Sequence, residues 1–349
     1  MFKVGIRCFT YNHAQFIEDA LNGFVIQKTD FPFVAVIVDD ASTDHAPQII
    51  ADYVINEFDL DDSTVAYRNN TDFGTVYFAR HKKNENCFFA VVLLNQNHFS
   101  QKKSKWSYYR QWINDSEYLA LCEGDDFWTD SSKLQKQVSF LESHQDFVLC
   151  SHNYTRFFQD TQTFESSTYY SDLFKDASSP CFVEYSLDNY FDRWWTQPLT
   201  CMYRNGEYLR RIPKKKYRNR RDDIFYYYVL KEGKGGLLRD SMGVYRVHQG
   251  GIWSGKTVLQ QYENAEDNAF NIYQIEGDLR AFNKIDREEL RILEALFNQH
   301  CYGAVARHLL GFKKKAPAIH FQHVKSEFRN WVVAKLKRKI KRFTLPISG

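Results

Sequence analysis

Apolar and polar positions alternate in blocks along the first half of the chain. Val4 to Phe9 is an apolar run broken only by Arg7, and it stops at Thr10-Tyr11-Asn12. Phe16, Ile17, Ala20, Leu21 and Phe24 then recur at helical spacing up to Gln27. A second strand is expected over Phe33–Val38, stopped by Asp39-Asp40. Ser42, Thr43 and Asp44 are suitable N-cap residues for a helix through Ile49, Ile50, Tyr53 and Val54, with Pro47 in its first turn. Ser63–Arg68 reads as a third strand, followed by Asn69-Asn70. Tyr118–Cys122 reads as another, and a helix through Leu134, Val138 and Leu141 and a strand over Phe147–Cys150 follow. The stretch from Thr71 to Ser116 shows no clear period. Past Gly255 only helical patterns remain, for example Leu290, Leu293, Leu296 and Phe297. Strands and helices alternating in this order imply a mostly parallel sheet flanked by helices, and such sheets bind ligands outside the carboxyl ends of their strands.

Composition narrows the class. A chain of 349 residues with 44% hydrophobic and 17% aromatic content can bury a large core and does not read as disordered. Its seven cysteines are scattered without a CxxC pair, which predicts reduced thiols and no structural zinc. The chain opens directly into a strand pattern, so no secretory signal is expected. The apolar run Cys87–Leu94 is far below the roughly 20 residues of a membrane helix, and a cytoplasmic location is expected. From Lys313 onward eleven Lys or Arg face one acid, Glu327, a balance of +10 in a chain of net charge +3. The preceding body therefore carries −7.

The acids are clustered. Leu119–Trp128, LALCEGDDFW, ends a buried strand in Glu123, Asp125 and Asp126, and Asp39-Asp40 ends another. Adjacent carboxylates repel one another and resist leaving water, so they persist where a cation neutralises them. A third pair, Asp222-Asp223, stands among Arg218, Arg220 and Arg221, where a surface ion-pair patch is the bland reading.

Four ordered segments carry a resemblance: YNHAQFIEDAL (Tyr11–Leu21), IVDDASTD (Ile37–Asp44), LALCEGDDFWTD with KLQKQVSFLE (Leu119–Glu142), and DSMGVYRVHQGGIWSG (Asp240–Gly255). Together they resemble bacterial family 2 glycosyltransferases of the GT-A fold, of the kind found in capsular, exopolysaccharide or lipopolysaccharide gene clusters. The resemblance covers residues 1–255 and implies a GT-A glycosyltransferase domain there, with residues 256–349 forming a helical C-terminal appendage. It implies a Rossmann-like, mostly parallel sheet. It further implies that Asp40, with Asp39 beside it, accepts a hydrogen bond from the nucleotide base, and that Thr10, Tyr11, Asn12 and Arg68 complete the nucleotide pocket. Glu123-Gly124-Asp125 resembles the family's DxD motif, with Asp125 on the metal and Glu123 at the ribose or a metal-bound water. Asp126 resembles the acid lining the donor-sugar side, and His248 the C-terminal histidine that completes the metal shell. The catalytic base falls on Asp222, with Asp223 as second choice. Glu123 replaces the usual Asp, Arg221 the usual Glu, and no QxxRW motif is present, which argues against a processive synthase.

The implied activity is inverting, metal-dependent transfer from a nucleotide-sugar, a UDP-sugar first, to a hydroxyl of a glycan or lipid-linked acceptor in bacterial surface polysaccharide synthesis. A Mg2+ or Mn2+ ion would neutralise the diphosphate, and a carboxylate would take the acceptor's proton. A catalytically silent, membrane-tethered nucleotide-binding scaffold is the alternative. A nucleotidyltransferase ranks lower, because TYNHA (Thr10–Ala14) has neither Gly nor Lys. In the tail (about residues 325–345), Val332, Leu336, Ile340 and Phe343 recur on one helical face among Lys and Arg. That pattern predicts a basic amphipathic helix on an anionic membrane surface, and the acidic body argues against nucleic acid. Trp194, Trp195 and Trp253 could stack on a sugar or lie in the core.

Overall fold

A computed structural model describes residues 1–63, 66–176, 178–212 and 222–343, without the side chains of Arg210 and residues 339–343. It separates into two compact units: 1–190 with 194–212 and 225–248, and 191–193 with 213–224 and 249–349. The first unit ends at His248, and Asp222-Asp223 group with the second.

In the first unit the chain runs β1 (Val4–Thr10), α1 (Ile17–Val25), β2 (Phe33–Asp39), α2 (Ala46–Glu57), β3 (Phe58–Asp59), β4 (Tyr67–Thr71), β5 (Gly74–His81), β6 (Cys87–Leu94) and α3 (Trp106–Ile113). It continues through β7 (Tyr118–Leu121), β8 (Phe127–Trp128), α4 (Lys133–Ser143), β9 (Phe147–Phe158), β10 (Thr163–Phe164), β11 (Phe182–Tyr185), β12 (Met202–Arg204) and α5 (Tyr208–Arg211). Helix α6 (Asp222–Val229) begins in the second unit and leads into β13 (Lys234–Val247). These strands form one sheet in the order β11-β13-β9-β12-β7-β1-β2-β6-β5-β3, with β10 on β9, β4 on β5 and β8 on β13.

The strands β7, β1, β2 and β6 run parallel, and antiparallel strands extend the sheet on both sides. This is the parallel core flanked by helices that the sequence pattern implies. Strand β2 is a fully buried run of Phe, Val, Ala and Ile ending in Asp39, and β6 is mostly buried, as strands covered on both faces require. Ile17, Ala20, Leu21 and Phe24 of α1 and Ile50 and Val54 of α2 pack onto it.

The expected irregular stretch from Thr71 to Ser116 instead holds β5, β6 and α3. Its signal was hidden because β6 is apolar without alternation and β5 is a covered hairpin partner. The strand expected over Ser63–Arg68 falls partly on Thr64 and Val65, outside the described residues, and the observed β4 starts at Tyr67. The capping expectation also shifts. His45 precedes α2, Asp44 Oδ1 accepts the Ala46 N–H at 3.0 Å, and Ser42 is taken by Asp39.

The second unit contains α7 (Val258–Glu276), α8 (Phe282–Asn298), α9 (Tyr302–Lys315) and α10 (Ala318–Phe343). Thr257 and Gln260 cap α7 reciprocally, and Gly277 ends it at φ 70°. No described helix is long and apolar enough to cross a membrane. All seven cysteines are free thiols, five of them buried.

Candidate functional site

Three strand ends meet in the first unit. Thr10 at the end of β1 is in register with Asp39 at the end of β2, and β7 ends beside Arg7. Two backbone hydrogen bonds stitch the following turns together, from Asp40 N–H to Thr10 C=O at 3.0 Å and from Gly124 N–H to Phe9 C=O at 3.0 Å. Gly124 has no room for a side chain: a Cβ there would lie 2.6 Å from Thr10 Oγ1 and 2.7 Å from Thr10 Cβ. The DxD-like turn is therefore pressed directly onto the end of β1.

The turn after β1 is pinned to the turn after β2. Asn12 adopts φ 57°, a left-handed conformation that Asn tolerates. Its N–H donates to Ser42 Oγ at 2.8 Å, and its Oδ1 accepts the Thr43 N–H at 2.8 Å. Ala14 N–H donates to Asp44 Oδ2 at 2.9 Å. Asp39 is buried and accepts the N–H (2.9 Å) and hydroxyl (2.5 Å) of Ser42. Burial pushes its carboxyl up, against those bonds. Tyr11 is exposed at the rim.

Asp40, the expected base-binding acid, is buried and already engaged. Its carboxylate accepts the N–H groups of His98 (2.8 Å) and Phe99 (2.9 Å) and the Lys105 ammonium (2.9 Å). Burial opposes its ionisation, but these donors hold the carboxyl below its usual range. Asp40 thus fastens the segment between β6 and α3. Arg68 stands exposed on β4 with its guanidinium 5.2 Å over the Tyr77 ring; β5 and β6 separate that strand from β2.

Asp125 lies at the centre of the acidic turn. Its Oδ2 is 3.1 Å from His248 Nε2 and 3.8 Å from His13 Nε2, and the three side chains can offer ligand atoms within 4.8 Å of one another. Burial works against the Asp125 charge, but the His248 hydrogen bond and His13 hold its carboxyl low. Burial lowers His13, which favours the neutral imidazole that binds metals, and its Nδ1 is buried without a partner. Thr10 Oγ1 is likewise buried without one. One carboxylate, two imidazoles and orphaned polar atoms fit a divalent cation. The donor set suits Mn2+ better than Mg2+, which prefers all-oxygen shells. His248 and Asp125 were expected; His13 was not.

Strand pairing explains the convergence. β8 pairs β13 antiparallel, with Val244 opposite Phe127, which sets Arg246 level with Asp125. Arg246, also unforeseen, is a buried cation beneath the acids. Its backbone N–H donates to Asp126 Oδ1 (2.9 Å), its Nε to Asp125 C=O (2.9 Å), its Nη1 to Gln159 (2.7 Å) and its Nη2 to Asp19 (2.6 Å). The guanidinium also lies over Phe16, Phe127 and Phe157. Asp126, expected on the donor-sugar side, is buried on this Arg246 side; burial and the Asp125 charge push its carboxyl up. Glu123 is exposed. The available signals were an Arg and a His at i and i+2 on one strand face, and a His directly after the β1 turn.

In the second unit Asp222 is exposed at the start of α6, and Asp223 is buried, 3.4 Å from the Lys284 ammonium. Arg218, Arg220 and Arg221 lie outside the described residues. Trp195 is buried against Tyr185, centroids 5.0 Å apart, and Trp194 donates to Gln197, so both serve packing. Trp253 is exposed.

No family model matches the chain. An uncharacterized protein of Mycobacterium bovis is 31% identical over 258 residues, covering 72% of this chain and 60% of that protein; proteins from two Mycobacterium tuberculosis strains match equally. The chain thus spans about 60% of the length of these curated relatives. Among solved structures, Staphylococcus aureus TarS 1–349 in complex with UDP-GlcNAc is similar at 18% identity and TM-score 0.48, over 93% of this chain and 80% of that one. The mannosyltransferase PcManGT of Pyrobaculum calidifontis, in complex with GDP-Man and Mn2+, is similar at 14% identity and TM-score 0.49, over 95% and 84%. Likenesses this distant do not carry a function across.

Proposed function

We propose that this chain is a metal-dependent, inverting glycosyltransferase that uses a nucleotide-sugar, with a UDP-sugar as first choice. The observation that supports it most is the His13–Asp125–His248 cluster at the carboxyl ends of parallel strands, beside the turns held by Asp39 and Asp40. In this reading His13, Asp125 and His248 would hold Mn2+, which would supply positive charge for a departing diphosphate. Thr10, Tyr11 and Asn12 line the nucleotide side and Glu123 meets the ribose. Asp222 accepts the proton of the acceptor hydroxyl, and it is the solvent-exposed member of its pair, whereas Asp223 is buried. A single base and in-line displacement invert the anomeric centre.

The acceptor is read as a glycan or lipid-linked hydroxyl in surface polysaccharide synthesis. Support comes from α10. Val324 and Phe328 are buried, whereas Val333 and Leu336 stand exposed among Lys335, Lys337 and Arg338. Ile340 and Phe343, expected on the same face, have side chains outside those described. A basic helix with exposed apolar residues suits an anionic membrane surface at about 1 kcal/mol per charge. Deleting residues 325–349 should abolish flotation with anionic liposomes; undiminished flotation removes the tail from the account.

The donor reading is tested by melting the protein with UDP, GDP, CDP or dTDP, each with and without Mn2+. A ligand at about 100 times its dissociation constant adds about 2.7 kcal/mol. A Mn2+-dependent rise with one nucleotide, UDP first, is expected, and no rise with any overturns it. The engagement of Asp40 by Lys105 favours a second reading, a catalytically silent nucleotide-binding scaffold. Metal-dependent donor hydrolysis that Asp125→Ala abolishes would exclude that scaffold.

A further inference from the structure

The helices of the second unit divide their charge unevenly. Residues 258–298, which carry α7 and α8, hold nine acids against four Lys or Arg. Residues 302–338, in α9 and α10, hold nine Lys or Arg against one acid, Glu327. This basic hairpin also leaves aliphatic side chains in solvent. Val305 and Phe312 of α9 are buried, and Arg307, Leu310 and Lys314 recur at i, i+3 and i+7 on the face turned away from them. Leu310 is 60% exposed. Across the following turn, α10 buries Val324 and Phe328 and leaves Ile319 75% exposed.

The turn is a built elbow. The N–H groups of His320 and Phe321 both donate to Pro317 C=O at 3.1 Å, and Lys313 Nζ lies 5.9 Å over the Phe321 ring. Lys313 thus joins the last turn of α9 to the first turn of α10. Leu310 stands one turn before Lys313, and Ile319 stands in the same first turn as Phe321, so both flank the elbow. Val333 follows Ile319 nearly four turns later on almost the same face, about 21 Å along α10.

Single exposed aliphatic residues are ordinary on a protein surface. Here they stand where the charge is one-sided. A soluble polyanion is met by lysines and arginines alone and gains nothing from Leu310 or Ile319. An anionic bilayer offers headgroups that attract the cations and acyl chains that take the aliphatic groups. One such contact attaches a protein only marginally, and stable attachment takes two.

We propose that the α9–α10 elbow is a second contact with an anionic lipid surface, in which Leu310 and Ile319 insert among Arg307, Lys313 and Lys314. With the tail as the other contact, α10 lies along the bilayer plane. The inference rests on the membrane reading of the tail and adds a contact outside residues 325–349.

The test is flotation of the full chain with vesicles of phosphatidylglycerol in phosphatidylcholine. Wild type should float with these and not with phosphatidylcholine alone. Leu310→Gln with Ile319→Gln keeps the net charge and should weaken vesicle binding about tenfold or more. Lys313→Gln with Lys314→Gln should weaken it about fivefold per charge, and less at high salt. All four side chains are exposed, so the melting temperature should not change. Should the aliphatic pair melt early, Ile319→Gln alone carries the test. Undiminished flotation of the aliphatic variant overturns the elbow contact and leaves the tail reading standing. Weakening by the lysine variant alone also overturns it, and assigns the hairpin to a soluble polyanion. A wild type that does not float removes the tail reading, and the elbow contact with it.

Discussion

Replacing Arg246 by Met keeps most of the side-chain volume and removes the guanidinium from beneath the acidic turn. The Nε bond to the Asp125 carbonyl is lost, and a buried acceptor left without its donor costs about 1–3 kcal/mol. The Nη2 pair with Asp19 is worth little, under about 1 kcal/mol, because Asp19 is 53% exposed and water replaces the partner. Contacts with the faces of Phe16, Phe127 and Phe157 add about 0.5–2 kcal/mol. The Asp126 bond comes from the Arg246 backbone and survives. The sheet unit should therefore lose about 2–5 kcal/mol. Urea denaturation followed by tryptophan fluorescence is suitable, since Trp106, Trp112, Trp128, Trp194 and Trp195 of the seven tryptophans belong to this unit. Arg246→Lys restores charge without the fork and should recover only part of the loss. A loss below about 1 kcal/mol in Arg246→Met, with an unchanged slope, would refute the assigned role of the guanidinium.

Gly124→Ala drives a methyl into Thr10, and an overpacking cost of about 1–3 kcal/mol is expected together with weakened Mn2+ binding. Thr10→Gly in the same chain should relieve the clash, and calorimetry of the pair checks the coupling. Asp222→Asn should fold and bind nucleotide yet lose transfer by two or more orders of magnitude, whereas full activity in a transfer assay moves the base to Asp223 or elsewhere. The Glu266 carboxyl titrates near 9 in the fold against an ordinary 4.5, so the folded chain binds the proton more tightly than the unfolded one. Its contribution to stability is complete below about pH 4.5 and is lost as pH rises through about 9. The stability of the helical unit should fall across that window, and Glu266→Gln should flatten the slope; an unchanged slope would remove Glu266 as its source.

The parallel core was legible because β1, β2 and β7 are short apolar runs that stop dead at polar residues. Asp125 and His248 were legible through motif context. Strands β5 and β6 were not, because a covered hairpin without alternation carries no period to read. His13 and Arg246 escaped for a related reason. The role of Arg246 arises from the pairing of β8 with β13 and that of His13 from the acidic turn after β7 lying against the end of β1, and no local pattern reports which strands will meet. Asp40 shows the opposite limit: its position at a strand end was plain, but its donors come from a segment some 58 to 65 residues further on. The pocket between α7, α8 and α9 was hidden altogether, since Glu263, Glu266, Glu289 and His308 look like ordinary charges on amphipathic helices until those helices pack.

His248 meets Asp125 across 123 residues of sequence, and the strand that delivers it is the last of the sheet. During synthesis the acidic turn must therefore leave the ribosome, and wait, without either the imidazole or the guanidinium that compensates it. A nascent chain ending before β13 has His13 to set beside Asp125 but lacks His248 and Arg246, so the three side chains cannot gather. On the proposed reading, metal capture would therefore follow translation of nearly the whole first unit, and a prematurely released fragment would be unable to hold an ion there.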